Sequence, residues 1–143
     1  MGAAEHADKP LTEQFWEWHR ETIDEQGFEM PHGLLLSDDG LIVMALHVAP
    51  MQAYQIMLAQ CAKVRASEAI FALDRYALPG QDLKYQDLLA GHHYDGIKWR
   101  PFIIEYRYEP RAFEPIDWDN ERWNEMLNGE LLGVLREMTG LRL

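Results

Sequence analysis

Gly91-His92-His93-Tyr94-Asp95 gathers two imidazoles and a carboxylate into five residues. On a strand, neighbouring side chains point to opposite faces, so His92 and His93 cannot serve one metal ion there, whereas His93 and Asp95 share a face. Zinc takes three or four ligands, and the missing ones would have to come from His47, Asp74 or Glu105. The plainer reading leaves these histidines beside a hairpin turn, hydrogen-bonded to backbone or water.

Asp74 is the second group with chemical potential. In a strand it shares its face with Ile70, Ala72 and Tyr76. A carboxylate on an apolar face needs a partner or stays protonated, and Arg100 or a tyrosine hydroxyl on a neighbouring strand could supply one. Asp74, His93 and Glu105 together would suit a small hydrolase, with or without a metal, if they converged. Ile103-Glu105-Arg107-Glu109 reads as a polar strand face whose charges pair across to Glu68 and Arg75.

Candidate binding residues lie elsewhere. Trp118 stands among acids, between Asp117 and Asp119, and is the better surface candidate of the later tryptophans, since Trp123 fits a helical stripe. Trp16 points away from the apolar stripe of its helix. It reads as a second contact under the N-terminal tail or as part of a partner surface. Tyr54, Met57, Tyr106 and Trp123 could line a pocket between sheet and helix, or simply form core.

Composition narrows the classes. The chain has 143 residues and a formal net charge of -11, so it repels phosphate backbones and nucleic acid is not an expected partner. No apolar run approaches the roughly 20 residues of a membrane span. The single cysteine, Cys61, permits no internal disulfide and sits in a helical apolar pattern as core. With no h-region near the start, the cytoplasm is the expected location. No phosphate loop, dinucleotide fingerprint, G-x-S-x-G elbow or cysteine pair of zinc spacing occurs, and no cofactor is expected.

The elements that must position these groups follow from periodicity. Residues 1–10 read as a loose tail and 11–143 as one domain. Leu11, Phe15, Trp18, Thr22 and Ile23 predict a helix over 11–26, ended by Gly27. Strands near 33–37 and 41–48 flank Ser37-Asp38-Asp39-Gly40, an Asp-Gly turn signal. Pro50 opens a helix over 50–64, with Tyr54, Met57, Leu58, Cys61 and Val64 on its buried face. Strands follow over 67–78 and 84–93, separated by Pro79-Gly80. Trp99 to Tyr108 alternates most clearly, with Phe102, Ile104, Tyr106 and Tyr108 facing the core. Residues 110–115 read as an irregular connector. Asp117 or Asp119 caps a last helix carrying Trp123, Leu127, Leu131, Val134, Leu135 and Met138, which Asn128-Gly129 kinks and Gly140 ends.

The predicted fold is therefore α+β: an antiparallel five-stranded sheet with helices packed on it, in the order α-β-β-α-β-β-β-α. That order resembles the profilin-like and roadblock type of domain in topology, with helices on both sides of the sheet. The resemblance implies a dimerising or scaffolding module. The expected function is a non-enzymatic protein-interaction module, self-associating or binding another protein through a sheet edge, the acidic start of the last helix, or both. The alternatives are the hydrolase above and a phage or mobile-element accessory protein whose acids, clustered over 114–125, imitate nucleic acid.

Overall fold

The computed structural model describes residues 10–26, 32–45, 49–77, 83–108 and 111–139. The expected tail over 1–9, the stops at Gly27 and Gly140, the Pro79-Gly80 turn, and His47 lie outside them.

Among the described residues, three helices and six strands follow one another as α1 (Leu11–Gln26), β1 (His32–Ser37), β2 (Gly40–Ala45), α2 (Pro50–Val64), β3 (Glu68–Tyr76), β4 (Asp87–Tyr94), β5 (Trp99–Tyr108), β6 (Arg111–Phe113) and α3 (Glu121–Thr139). The strands form one antiparallel sheet in the order β2-β1-β3-β4-β5-β6. The class is α+β, as periodicity indicates, but the sheet has six strands rather than five. The extra strand falls in the expected connector. Arg111, Ala112 and Phe113 pair with Tyr108, Arg107 and Tyr106, and the chain stays on β5 further along, where Asp117 and Ile103 exchange both backbone hydrogen bonds at 2.8 and 3.0 Å. The register slips by one residue between Glu114 and Asp117, a stretch that includes Pro115, which has no N–H to donate.

Register assigns the faces. On one face, Leu34, Ile70, Ala72, Leu89, Phe102, Ile104 and Tyr106 are buried under Leu11 and Phe15 of α1. On the other, Leu35, Phe71 and Leu73 meet Tyr54, Met57 and Leu58 of α2 and Leu131 and Val134 of α3. There too, Leu88, Ala90 and Ile103 pack against Trp123 and Leu127. Helices on both sides explain why Ala69–Leu73 and Leu88–His92 are buried without alternation. They also correct the reading of β5. The face carrying Glu105 is not a wet one, because α3 lies over Ile103.

Local signals act as their chemistry requires. Gly40 takes φ 117° after the Asp38-Asp39 turn and Gly96 takes φ 98° after Asp95. The last helix is capped by Asn120, whose Oδ1 accepts from Trp123 N at 3.1 Å, and not by Asp117 or Asp119. It runs through Asn128-Gly129 to Thr139, and Met138 is exposed rather than part of the buried stripe. Helix α2 ends on Arg65 in the left-handed region, φ 52°, with Ala66 N bonded to Cys61 O at 3.0 Å. A Cβ there is strained. Arg65→Gly is expected to stabilise the protein by about 0.5–1 kcal/mol, measured as a raised Tm; an unchanged or lowered Tm would show that the turn carries no such strain.

Candidate functional site

The predicted site residues part company across the sheet. Asp74 and His93 lie on the α1 face, since Ile70 pairs with His93 and Asp74 with Leu89. They are four residues apart in register, which separates them by about 13 Å along the strands. Glu105 pairs with Leu88 and belongs to the opposite face. Asp74 is exposed and accepts a short hydrogen bond from the Tyr106 hydroxyl, reaching across from β5. Glu105 is half-buried, and its Oε1 accepts from Tyr85 N at 2.9 Å. The three groups do not form a common site. Nor do the residues proposed to line one pocket, since Tyr106 is on the α1 face and Tyr54, Met57 and Trp123 are on the other.

His93 does find a carboxylate, from a residue sequence reasoning did not choose for it. Its Nε2 lies 2.6 Å from Glu68 Oε2. Trp118 folds over the same spot, with its ring 5.9 Å from His93, 5.4 Å from Phe102, and 4.5 Å from the Arg100 guanidinium stacked on it. Trp118 is thus half-buried packing above the α1-side core rather than a free surface ring. Asp95 closes the β4–β5 turn, accepting from Ile97 N and Lys98 N at 2.8 and 2.9 Å, and these backbone donors hold its carboxyl below the usual range. Among the described residues no group of three or more His, Cys, Asp and Glu is placed to hold a metal ion.

The acids near α3 serve local structure. Asp117 Oδ1 accepts from Asp119 N at 2.9 Å, and Glu114 pairs with the exposed Lys84. Trp16 donates from Nε1 to Glu114 O at 2.8 Å and meets Phe113 edge-on at 5.5 Å. Its contact is therefore the β6 strap. A depression of about 460 Å³ beside it is lined by Pro10, Thr12, Glu13, Trp16, Pro115 and Ile116.

Two features were missed from the sequence. The first is His92, fully buried between Tyr54 and Phe71, with ring centroids 5.8 and 6.3 Å away. Burial pushes its imidazole down to about 4, opposed by the nearby Asn128 side chain. Among the described residues, neither ring nitrogen of His92 nor the Tyr54 hydroxyl has a hydrogen-bond partner of ordinary geometry. Burial first, and Glu130 second, push the Tyr54 phenol upward. Close by, Arg75 grips Glu130 of α3 in a forked pair at 2.6–3.0 Å, where an expected strand-to-strand charge pairing gives way to a strand-to-helix one. The alternation that sends His92 and His93 to opposite faces was readable; that His92's face lies beneath two helices was not.

The second is the sheet's open edge. Among the described strands β2 is terminal, and Gly40–Ala45 carries no charged residue. Leu41 is 44% exposed, Val43 55%, and their β1 neighbour Leu36 37%. All three lie on the α1 face, beyond the cover that Leu11 and Phe15 provide. Ile42 and Met44 instead turn toward the α2 core. Backbone direction follows from Leu36, whose C=O accepts from Ser67 N at 2.8 Å and so points to β3. Its partner Leu41 is therefore a non-hydrogen-bonded position of the hairpin, and Leu41, Val43 and Ala45 direct their N–H and C=O outward. The opposite edge, β6, has three residues and ends near Pro115, which blunts it.

No helix among the described residues is long and apolar enough to cross a membrane. Compared with known protein families, with curated proteins and with solved structures, the chain matches none, so its function must be read from its own geometry.

Proposed function

We propose that this chain is a protein-interaction module that binds by adding a partner's strand to the β2 edge. One observation carries the reading. A charge-free six-residue edge strand exposes Leu41 and Val43 beside Leu36, and natural sheets normally protect such an edge with lysine, proline or a bulge. Strand addition satisfies the outward N–H and C=O groups while the alternate side chains enter the partner. The candidate acid-base groups support no common reacting centre, because Asp74, His93 and Glu105 are divided between distant positions and opposite faces.

A photo-crosslinking amino acid placed at Val43, at Ile97 in the β4–β5 turn, or at Asp119 in the intact protein tests the reading in cells. Protein adducts are expected at Val43 and not at Ile97, which is exposed but sits in a hairpin turn. Adducts concentrated at Asp119, with none at Val43, would move the interaction to the start of α3 and overturn the edge reading.

A further inference from the structure

Resting on that reading, we infer that the strand added at β2 is the β2 of a second copy, antiparallel about a two-fold axis at Val43, so that two six-stranded sheets become one.

Backbone chemistry limits the register. Outward-directed residues must face outward-directed residues, since only these have N–H and C=O groups to exchange. In β2 they are Leu41, Val43 and Ala45, and centring the axis on Val43 uses all three. Val43 then faces Val43 of the partner subunit, and each Leu41 faces the partner's Ala45. Every such pair exchanges two hydrogen bonds, and the seam is about 20 Å long, an ordinary strand length.

Side chains agree with this register. A β-branched residue opposes its own kind at the axis. Because paired residues share a face, the exposed Leu36, Leu41 and Val43 of each copy meet in one apolar patch. Ile42 and Met44, partly buried against the α2 core, face each other on the opposite surface and join the two cores.

Charge argues against a partner chosen by complementary charge and permits a second copy. The chain carries -11 overall, but Gly40–Ala45 carries none, so the seam offers a charged partner nothing to recognise and brings no like charges into contact. Edge asymmetry sets the stoichiometry. Head-to-tail growth would pair β2 with β6, and β6 spans only Arg111–Phe113. Pairing β2 with β2 consumes the one long edge of each copy and closes as a dimer rather than a fibre.

The test is the mass of the full chain by light scattering across a concentration series. The expected mass is twice the 16.7 kDa of one chain. Val43→Lys, which sets two ammonium groups face to face at the axis, is expected to raise the dissociation constant at least about 100-fold. Its circular dichroism and melting should still report a folded chain, because the site is exposed. Val43→Cys should form an inter-chain covalent dimer with a short thiol crosslinker, while Ile97→Cys should not. A dimer indifferent to Val43→Lys would overturn the inference. So would a wild-type chain monomeric at every concentration. In that case photo-adducts of Val43 with another protein would leave the strand-addition reading standing, and their absence would remove both.

Discussion

Gly91→Ala is expected to destabilise the protein by at least about 3 kcal/mol, although it adds only one methyl group away from the surface. Gly91 lies at the centre of the sheet, between Ala72 of β3 and Phe102 of β5. A Cβ built there would sit 1.8 Å from Phe71 O and 2.6 Å from Ala72 Cα. Both are backbone atoms of a strand held on its other side by β1, so they cannot rotate away as a side-chain tip could. Relief requires β3 and β4 to part, which lengthens ladder hydrogen bonds in the buried centre of the sheet. Urea unfolding measures the loss. Gly129→Ala and Gly133→Ala on α3 are the controls. Nothing lies within 4 Å of either added methyl, and each should instead stabilise by about 0.5–1 kcal/mol through helix propensity. A Gly91→Ala protein as stable as the wild type would mean that β3 and β4 do not approach as described.

His92 is expected to make the protein acid-labile. In the unfolded chain its imidazole takes a proton near 6.5, and in the folded chain only near about 4. Between those values the unfolded state binds more protons, so stability falls as pH falls from about 6.5 to about 4, and is unaffected by this group above that window. A gap of this size corresponds to roughly 3 kcal/mol. Glu130 and Asp87 act in the opposite sense, because burial raises their carboxyls above the ordinary range. The quantity to read is therefore the difference between the wild type and His92→Leu in urea unfolding at a series of pH values. That difference should change by roughly 3 kcal/mol across the window, with the leucine variant the less sensitive to acid. The variant also removes two ring nitrogens that have no hydrogen-bond partners among the described residues, so it should lose little at pH 7. Parallel pH profiles for the two proteins would show that His92 is not buried as a neutral imidazole.

Much of this architecture is legible in the amino-acid sequence. Pro50 and the spacing of Tyr54, Met57 and Cys61 mark α2, and the two-residue alternation of Trp99–Tyr108 marks β5, because each pattern is imposed by a single buried face. The two Asp-Gly turns were legible from the positive φ that glycine supplies. β6 was not, since three residues near prolines show no period, and their extended form comes from pairing with β5. The polar reading of the Glu105 face failed for a related reason: alternation tells which residues share a face, but not whether a helix from far along the chain will cover it. Residues selected for their chemistry fared unevenly on the same ground. His93 and Trp118 do lie together, but as packing with Glu68 and Arg100, whereas Asp117 and Asp119 organise a turn before Asn120 takes the cap. The apolar runs over 34–36 and 41–46 suit a hairpin covered on both faces or lying centrally, because a run apolar on both faces carries no mark of which edge the sheet ends on.

Amide hydrogen exchange at Leu41 and Val43 is the most direct measurement of whether β2 is a working edge. Their N–H groups point out of the sheet, toward an added strand. Exchange at both positions should slow by at least about tenfold as protein concentration rises, and Val43→Lys should restore the fast rates at every concentration. Fast exchange at Leu41 and Val43 throughout the series, in a protein otherwise protected along β3 and β4, would contradict the assignment of this edge as the site of association.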